Sequence, residues 1–141
     1  MTYLGLDLGS KTCGVAISDR TGIIATSLEV IRYYDYEDLF HQLEFVVINR
    51  KVDAFVLGNP KNLDNSLSKR SEITIEFKEL LEERFHKEVF LQDERLSTVE
   101  AENLLISNDT KRKNRKKVID KIAAAIILQA FLDRRNNERR I

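Results

Sequence analysis

Apolar and polar positions change period repeatedly along this chain, and the changes mark its elements. Residues 2–8, 12–18 and 23–31 are short, β-favouring runs, separated by Gly9-Ser10-Lys11 and by Asp19-Arg20-Thr21-Gly22. Turns this tight between strands predict an antiparallel meander. Tyr36, Leu39, Phe40, Leu43, Val46 and Val47 then recur at helical spacing, predicting a helix over about 36–50. Residues 54–58 (AFVLG) are nearly all apolar, as in a strand buried on both faces. After an Asn- and Ser-rich loop over 59–68, Ile73, Phe77, Leu80 and Leu81 mark a second helix ending near His86, and 88–92 read as a fifth strand. Ser97-Thr98-Val99-Glu100 fits a capping box opening a third helix to about Ser107. A basic loop over 109–117 and a last helix follow. The order predicts an α/β fold: a mixed five-stranded sheet, three antiparallel strands then parallel ones, with helices on both faces.

Three acids interrupt or end these apolar segments. Asp7 closes the first strand, Glu94 follows the fifth, and Asp120 heads the Ala-rich stretch 119–132. With Asp120, Ala123, Ala124, Ile127, Ala130 and Phe131 on one stripe, Asp120 is expected in the first turn of the last helix, on its sheet-facing side. A carboxylate at the edge of a core is costly unless paired, protonated or bound to a metal. Three together repel one another, and a divalent cation is the simplest relief. Ligands in such sheets gather beyond the carboxyl ends of parallel strands, where Asp7, Gly58 and Glu94 would meet. Each acid also has an ordinary reading: a turn former at Asp7, a helix-dipole partner at Asp120, an ion-pair partner of Arg95 at Glu94. Jointly they say more than any one alone.

Composition narrows the class. The 141 residues, 43% hydrophobic and 33% charged, fit one globular domain over 1–141. Net charge is zero, yet from Lys111 to Lys117 every residue but Asn114 is basic, and four arginines follow between 133 and 140. Such a cluster suits a polyanion. Lys111, Arg112, Arg115 and Lys116 are therefore candidate phosphate contacts, with Lys11 and Lys61 on the rim loops and Arg95 beside Glu94. Cys13 is the sole cysteine, so no intrachain disulfide can form, and its apolar neighbours suit a small buried hydrophobe. With neither a signal pattern nor an apolar run of about 20 residues, a cytoplasmic protein without membrane contact is expected.

Three blocks carry a resemblance: GLDLGSKTCGVAISD (5–19), DERLST (93–98) and DKIAAAIILQAFL (120–132). In that order they resemble the signatures of the YqgF family, also called RuvX. Its members are ribonuclease H-like proteins described as candidate Holliday junction resolvases and pre-16S ribosomal RNA nucleases. The resemblance implies that Asp7, Glu94 and Asp120 are catalytic acids, and that GNPKNLD (58–64) is the family's Gly-x-Pro…Asp loop. It departs from the usual pattern at Thr12-Cys13, Asn59 and Asn65, none of which removes an acid.

The expectation is a Mg²⁺- or Mn²⁺-dependent endonuclease using two ions, oxygen ligands suiting these hard cations. Structured RNA is the preferred substrate, above all the 5′ end of the 16S ribosomal RNA precursor, which brings ribosomal precursor particles in as partners. Branched DNA junctions are the alternative. A non-catalytic nucleic-acid-binding module is the rival from another class. The hairpin also resembles the phosphate loop of actin-like sugar kinases, but those need a second lobe that 141 residues cannot supply. Oligomeric state is left open.

Overall fold

A computed structural model describes residues 1–60, 69–93 and 112–139, and the side chains of all of these except 69, 70, 112–120 and 139. The elements are β1 (Tyr3–Leu8), β2 (Thr12–Ser18), β3 (Ala25–Arg32), α1 (Tyr36–Asn49), β4 (Ala54–Asn59), α2 (Lys69–Phe85), β5 (Val89–Asp93) and α3 (Arg112–Arg139). The expected helix over 97–107 and the loop residues 61–68 lie outside the described residues.

The five strands form one mixed sheet in the order β3-β2-β1-β4-β5. β2 runs antiparallel to both β1 and β3, while β4 and β5 continue parallel to β1. Side chains alternate between the faces. Leu4 and Leu6 of β1 and Phe55 and Leu57 of β4 join Leu39, Leu43, Phe77 and Leu81 in a core under α1 and α2. Tyr3, Ala54 and Val56 point the other way, against Ala124, Ile127, Leu128, Phe131 and Leu132 of α3. Covered on both sides, β4 has every residue buried, as its unbroken apolar run predicts.

Local chemistry sets the boundaries. The β2–β3 turn consumes two residues expected in the third strand, because the Asp19 carboxylate accepts the N–H groups of Ile23 (2.9 Å) and Ile24 (3.0 Å). At α1, Asp35 is the N-cap: its carboxylate accepts the Asp38 N–H at 2.8 Å, and Asp38 in turn accepts the Tyr34 N–H at 3.0 Å. Lys51 ends that helix with φ 53°, the left-handed position usually given to glycine. Arg84 of α2 donates to Glu37 and Glu44 of α1, both at 2.6 Å, clamping the two helices together.

The largest departure from expectation is at the last helix. Arg112 already lies in α3, so most of the expected basic loop 109–117 is helical, and Asp120 sits well inside rather than in the first turn. Lysine and arginine are good helix formers, and no glycine or proline follows Pro60 to interrupt them. The sheet-facing stripe also differs in detail: Ala124, Ile127, Leu128, Phe131 and Leu132 are buried, whereas Ala123 and Ala130 are only half-buried. Among the described residues, no helix is long and apolar enough to cross a membrane.

Candidate active site and nucleic-acid interface

Parallel pairing brings the carboxyl ends of β1, β4 and β5 to one rim. The β1–β4 pairs run from Tyr3–Ala54 to Leu6–Leu57, so Asp7 is next in line with Gly58. The β4–β5 pairs then set Gly58 beside Gln92 and Asn59 beside Asp93. On its other side Asp7 pairs with Gly14 of β2. Glycines thus flank Asp7 across both neighbouring strands. Glu94 is the residue after the end of β5 and lies outside the described residues.

Alternation puts Asp7 on the same face as Tyr3 and Gly5, the face covered by α3. Contact between helix and strand is closest at Gly5, where a Cβ would lie 2.8 Å from Leu128 Cβ and 3.1 Å from the Ala124 carbonyl oxygen. Hydrogen bonds along β3 give the helix direction. Asn136 Nδ2 donates to the Gly22 carbonyl (3.1 Å), the Ala25 N–H to Gln129 Oε1 (2.8 Å), and Ser27 Oγ to the Lys121 carbonyl (3.3 Å). As β3 advances, α3 counts down, so the helix runs antiparallel to β3 and to β1. From Gly5 to Asp7 is about 6.6 Å along the strand. From Ala124 to Asp120 is one turn, about 6 Å, in the same direction. The backbone of position 120 is therefore carried to the level of Asp7.

Two further polar features mark this rim. Among the described residues, Gln92 Oε1 is buried without a hydrogen-bond partner. As the neighbour of Phe90 by alternation, Gln92 belongs to the α3 face and to the row of Asp7 and Gly58. An unpaired buried carbonyl oxygen costs about 1–3 kcal/mol and is the kind of hard donor a Mg²⁺ or Mn²⁺ ion or its water accepts. The break in alternation within VFLQD, a polar residue where the α3 face expects an apolar one, was the available signal. The second feature is Ser71 Oγ, which donates to Asn59 Oδ1 at 2.8 Å with both side chains buried. Asn59 thereby ties the end of β4 to the start of α2, a structural use for a residue that departs from the family pattern.

Cys13 is fully buried, as expected. Burial, and after it the charge of Asp7, pushes its thiol far above the ordinary cysteine range, so it is inert as a nucleophile. Lys11 is exposed on the β1–β2 turn, and its carbonyl accepts the Tyr33 N–H at 3.1 Å. Arg112, Arg115 and Lys116 fall in the first turns of α3. Lys61, Arg95 and Lys111 lie outside the described residues. Among the described residues no three His, Cys, Asp or Glu side chains gather as a metal site; Glu94 and the Asp120 side chain are not among them. A cleft of about 750 Å³ opens on the other side of the Gly9–Ser10 turn, between Tyr33–Tyr36 and residues Ile73 and Thr74 of α2.

A five-stranded sheet with this order, helices on both faces and an acid on the central strand defines the ribonuclease H-like class. Two solved structures share the fold. The Thermus thermophilus RuvC bound to a Holliday junction matches with TM-score 0.54 and 16% identity, over 95% of each chain. The fowlpox virus Holliday junction resolvase matches with TM-score 0.53 and 16% identity, over 94% of this chain and 99% of that one.

The chain belongs to the RuvX family, whose model, described as Holliday junction resolvase, matches residues 1–134. A relative from Streptococcus equi subsp. equi, named as a candidate pre-16S rRNA nuclease, is 51% identical over 94% of this chain and 98% of its own. One from Lactiplantibacillus plantarum, named likewise, is 49% identical over 95% of each.

Proposed function

We propose that this chain is a divalent-metal-dependent, cytoplasmic endonuclease of one domain, cutting structured RNA and processing the 5′ end of the 16S ribosomal RNA precursor. The observation that carries the reading is the antiparallel course of α3, which brings position 120 to the level of Asp7 on the sheet's α3 face. The end of β5, Asp93, after which Glu94 follows in the sequence, is two strands away from Asp7 on the same rim. In this reading Asp7, Glu94 and Asp120 hold two Mg²⁺ or Mn²⁺ ions, with the Gln92 oxygen as a neighbouring donor. When bound, such ions offset the charge that builds on the attacked phosphate and its leaving oxygen. The glycines beside Asp7 leave room for a phosphate to approach. Lys11, Lys61, Arg95 and the basic start of α3 bind the flanking phosphates, which fixes the backbone across the acids.

RNA is favoured by the names of the two relatives described above, which match nearly the whole chain. A branched DNA junction is the second reading, favoured by the description of the family model. The deciding experiment compares cleavage of labelled ribosomal RNA precursor, free and in precursor particles, with cleavage of a four-way DNA junction, in Mg²⁺, Mn²⁺ and EDTA. Metal-dependent cutting of the precursor at one position, with the junction intact, is the expected result. Cutting of the junction alone reverses the substrate assignment, and cutting in EDTA removes the metal from the mechanism.

A further inference from the structure

The cleft beside the Gly9–Ser10 turn has an unusual wall. Three of the four residues from 33 to 36 are tyrosines, and Tyr34 is 99% exposed. A large aromatic ring held wholly in water buries nothing in the fold, so it adds nothing to the core.

Its backbone is nonetheless fixed. The Tyr34 N–H is held by Asp38 at 3.0 Å, inside the N-cap of α1. Its predecessor Tyr33 is tied twice to the β1–β2 turn, through its N–H to the Lys11 carbonyl at 3.1 Å and through its hydroxyl to the Gly9 carbonyl. The exposed ring is thus mounted on a rigid base. That base adjoins Gly9, two residues from Asp7, or about 7 Å of chain.

The charge of the cleft selects its occupant. Among the described residues the lining contains no lysine or arginine, and its one charged group is the Asp35 carboxylate. Phosphate is repelled there, whereas Lys11 on the neighbouring turn attracts it. A neutral, flat group bearing N–H or O–H donors fits: its face on tyrosine, a donor toward Asp35.

We propose that the Tyr34 cleft receives an unpaired nucleobase of the substrate strand, next to the phosphate presented to Asp7, and so directs cleavage to junctions between paired and single-stranded RNA. This rests on the nuclease reading above. A stem would lie along the basic start of α3, and its single-stranded continuation would cross the Gly9–Ser10 turn and stack on Tyr34. Stacking of this kind is indifferent to base identity, so the site selects secondary structure rather than sequence.

The test uses the chain of 141 residues carrying Asp7→Asn, in Mg²⁺, with two RNAs: a blunt stem and the same stem with a single-stranded extension of about five nucleotides. The extension carries 2-aminopurine at its first unpaired position. Adding Tyr34→Ala is expected to weaken binding of the extended RNA about 5- to 100-fold and to abolish the 2-aminopurine fluorescence change. Tyr34→Phe should preserve both, and neither variant should alter binding of the blunt stem. Because Tyr34 is 99% exposed, both variants are expected to fold. Unchanged affinity of Tyr34→Ala for the extended RNA, or an equal loss on the blunt stem, overturns the base site while leaving the nuclease reading intact. If the chain with Tyr34 in place binds neither RNA, both fall together.

Discussion

Gly5 and Leu128 meet with no room for a methyl group between them: a Cβ on the strand would stand 2.8 Å from the Cβ on the helix. The Ala124 carbonyl oxygen, 3.1 Å from the same point, closes the other side. Neither obstacle is the end of a flexible side chain, so the helix itself must shift to relieve the overlap. Gly5→Ala is therefore expected to destabilise the fold by about 1–3 kcal/mol. Its effect should not stop at stability, because a displaced α3 carries Asp120 away from Asp7. Urea unfolding together with metal-dependent cleavage checks this. Both should fall, with cleavage lost even at temperatures where the variant is fully folded.

Asp7 separates a structural acid from a catalytic one. Asp7→Asn keeps the side chain's shape and removes its charge, so the variant should melt near the parent temperature while cleavage falls by at least about 100-fold. The melting curve of the parent, but not of the variant, should also rise on adding Mn²⁺, since a cation bound only to the folded chain stabilises it by mass action. Near-parental cleavage in Asp7→Asn would return Asp7 to the ordinary role of a residue ending a strand.

Much of this arrangement is legible in the amino-acid sequence itself. The β-favouring runs 2–8, 12–18 and 23–31 and the doubly apolar run 54–58 suffice for the mixed sheet, whose strand order is read from the structure. Local polar chemistry overrides the pattern where it competes with propensity. Asp19 draws Ile23 and Ile24 into a turn although both favour strands. The run at 111–117 reads as a loop by its charge, yet most of it is helical because lysine and arginine lose little rotamer freedom in a helix. Gln92 and Tyr34 escape a reading of the sequence for another reason. Neither belongs to a motif, and their interest arises from what surrounds them: an oxygen left unpaired, a ring left in water. Only three-dimensional neighbours reveal that.

Tyr33 makes the rim sensitive to alkali. Burial, reinforced by Tyr36 and Cys13, pushes its phenol up to about 12. The unfolded phenol titrates near 10. Between those values the unfolded chain releases a proton that the folded chain keeps, so this contribution to stability is complete below about pH 10 and is lost as pH rises toward 12. Tyr33→Phe should flatten that alkaline slope in urea midpoints taken at several pH values. Some slope should persist, because burial also raises the Tyr36 phenol. At neutral pH the variant should lose about 0.5–1.5 kcal/mol with its hydrogen bond to Gly9. An unchanged slope would locate the alkaline titration elsewhere.

The basic start of α3 gives the sharpest test of how substrate is held. Cations in the first turn of a helix oppose its dipole, each by about 0.3–1 kcal/mol at an exposed site, and like charges spaced three or four apart repel. Arg112, Arg115 and Lys116 occupy such positions, and no acid in the first turn offsets them. The arrangement is unfavourable to the isolated chain and favourable once a polyanion is bound. Neutralising Lys111, Arg112, Arg115 and Lys116 to glutamine should therefore leave the melting temperature unchanged or raise it. The same change should weaken RNA binding and flatten its dependence on salt, by about 0.7–0.9 log units of slope for each phosphate no longer neutralised. Binding of a tailed and a blunt RNA should weaken alike, in contrast to Tyr34→Ala, since phosphates are common to both. A fall in melting temperature with an unchanged salt slope would make the run a structural part of the helix. The phosphate grip would then have to be sought among the arginines between 133 and 140.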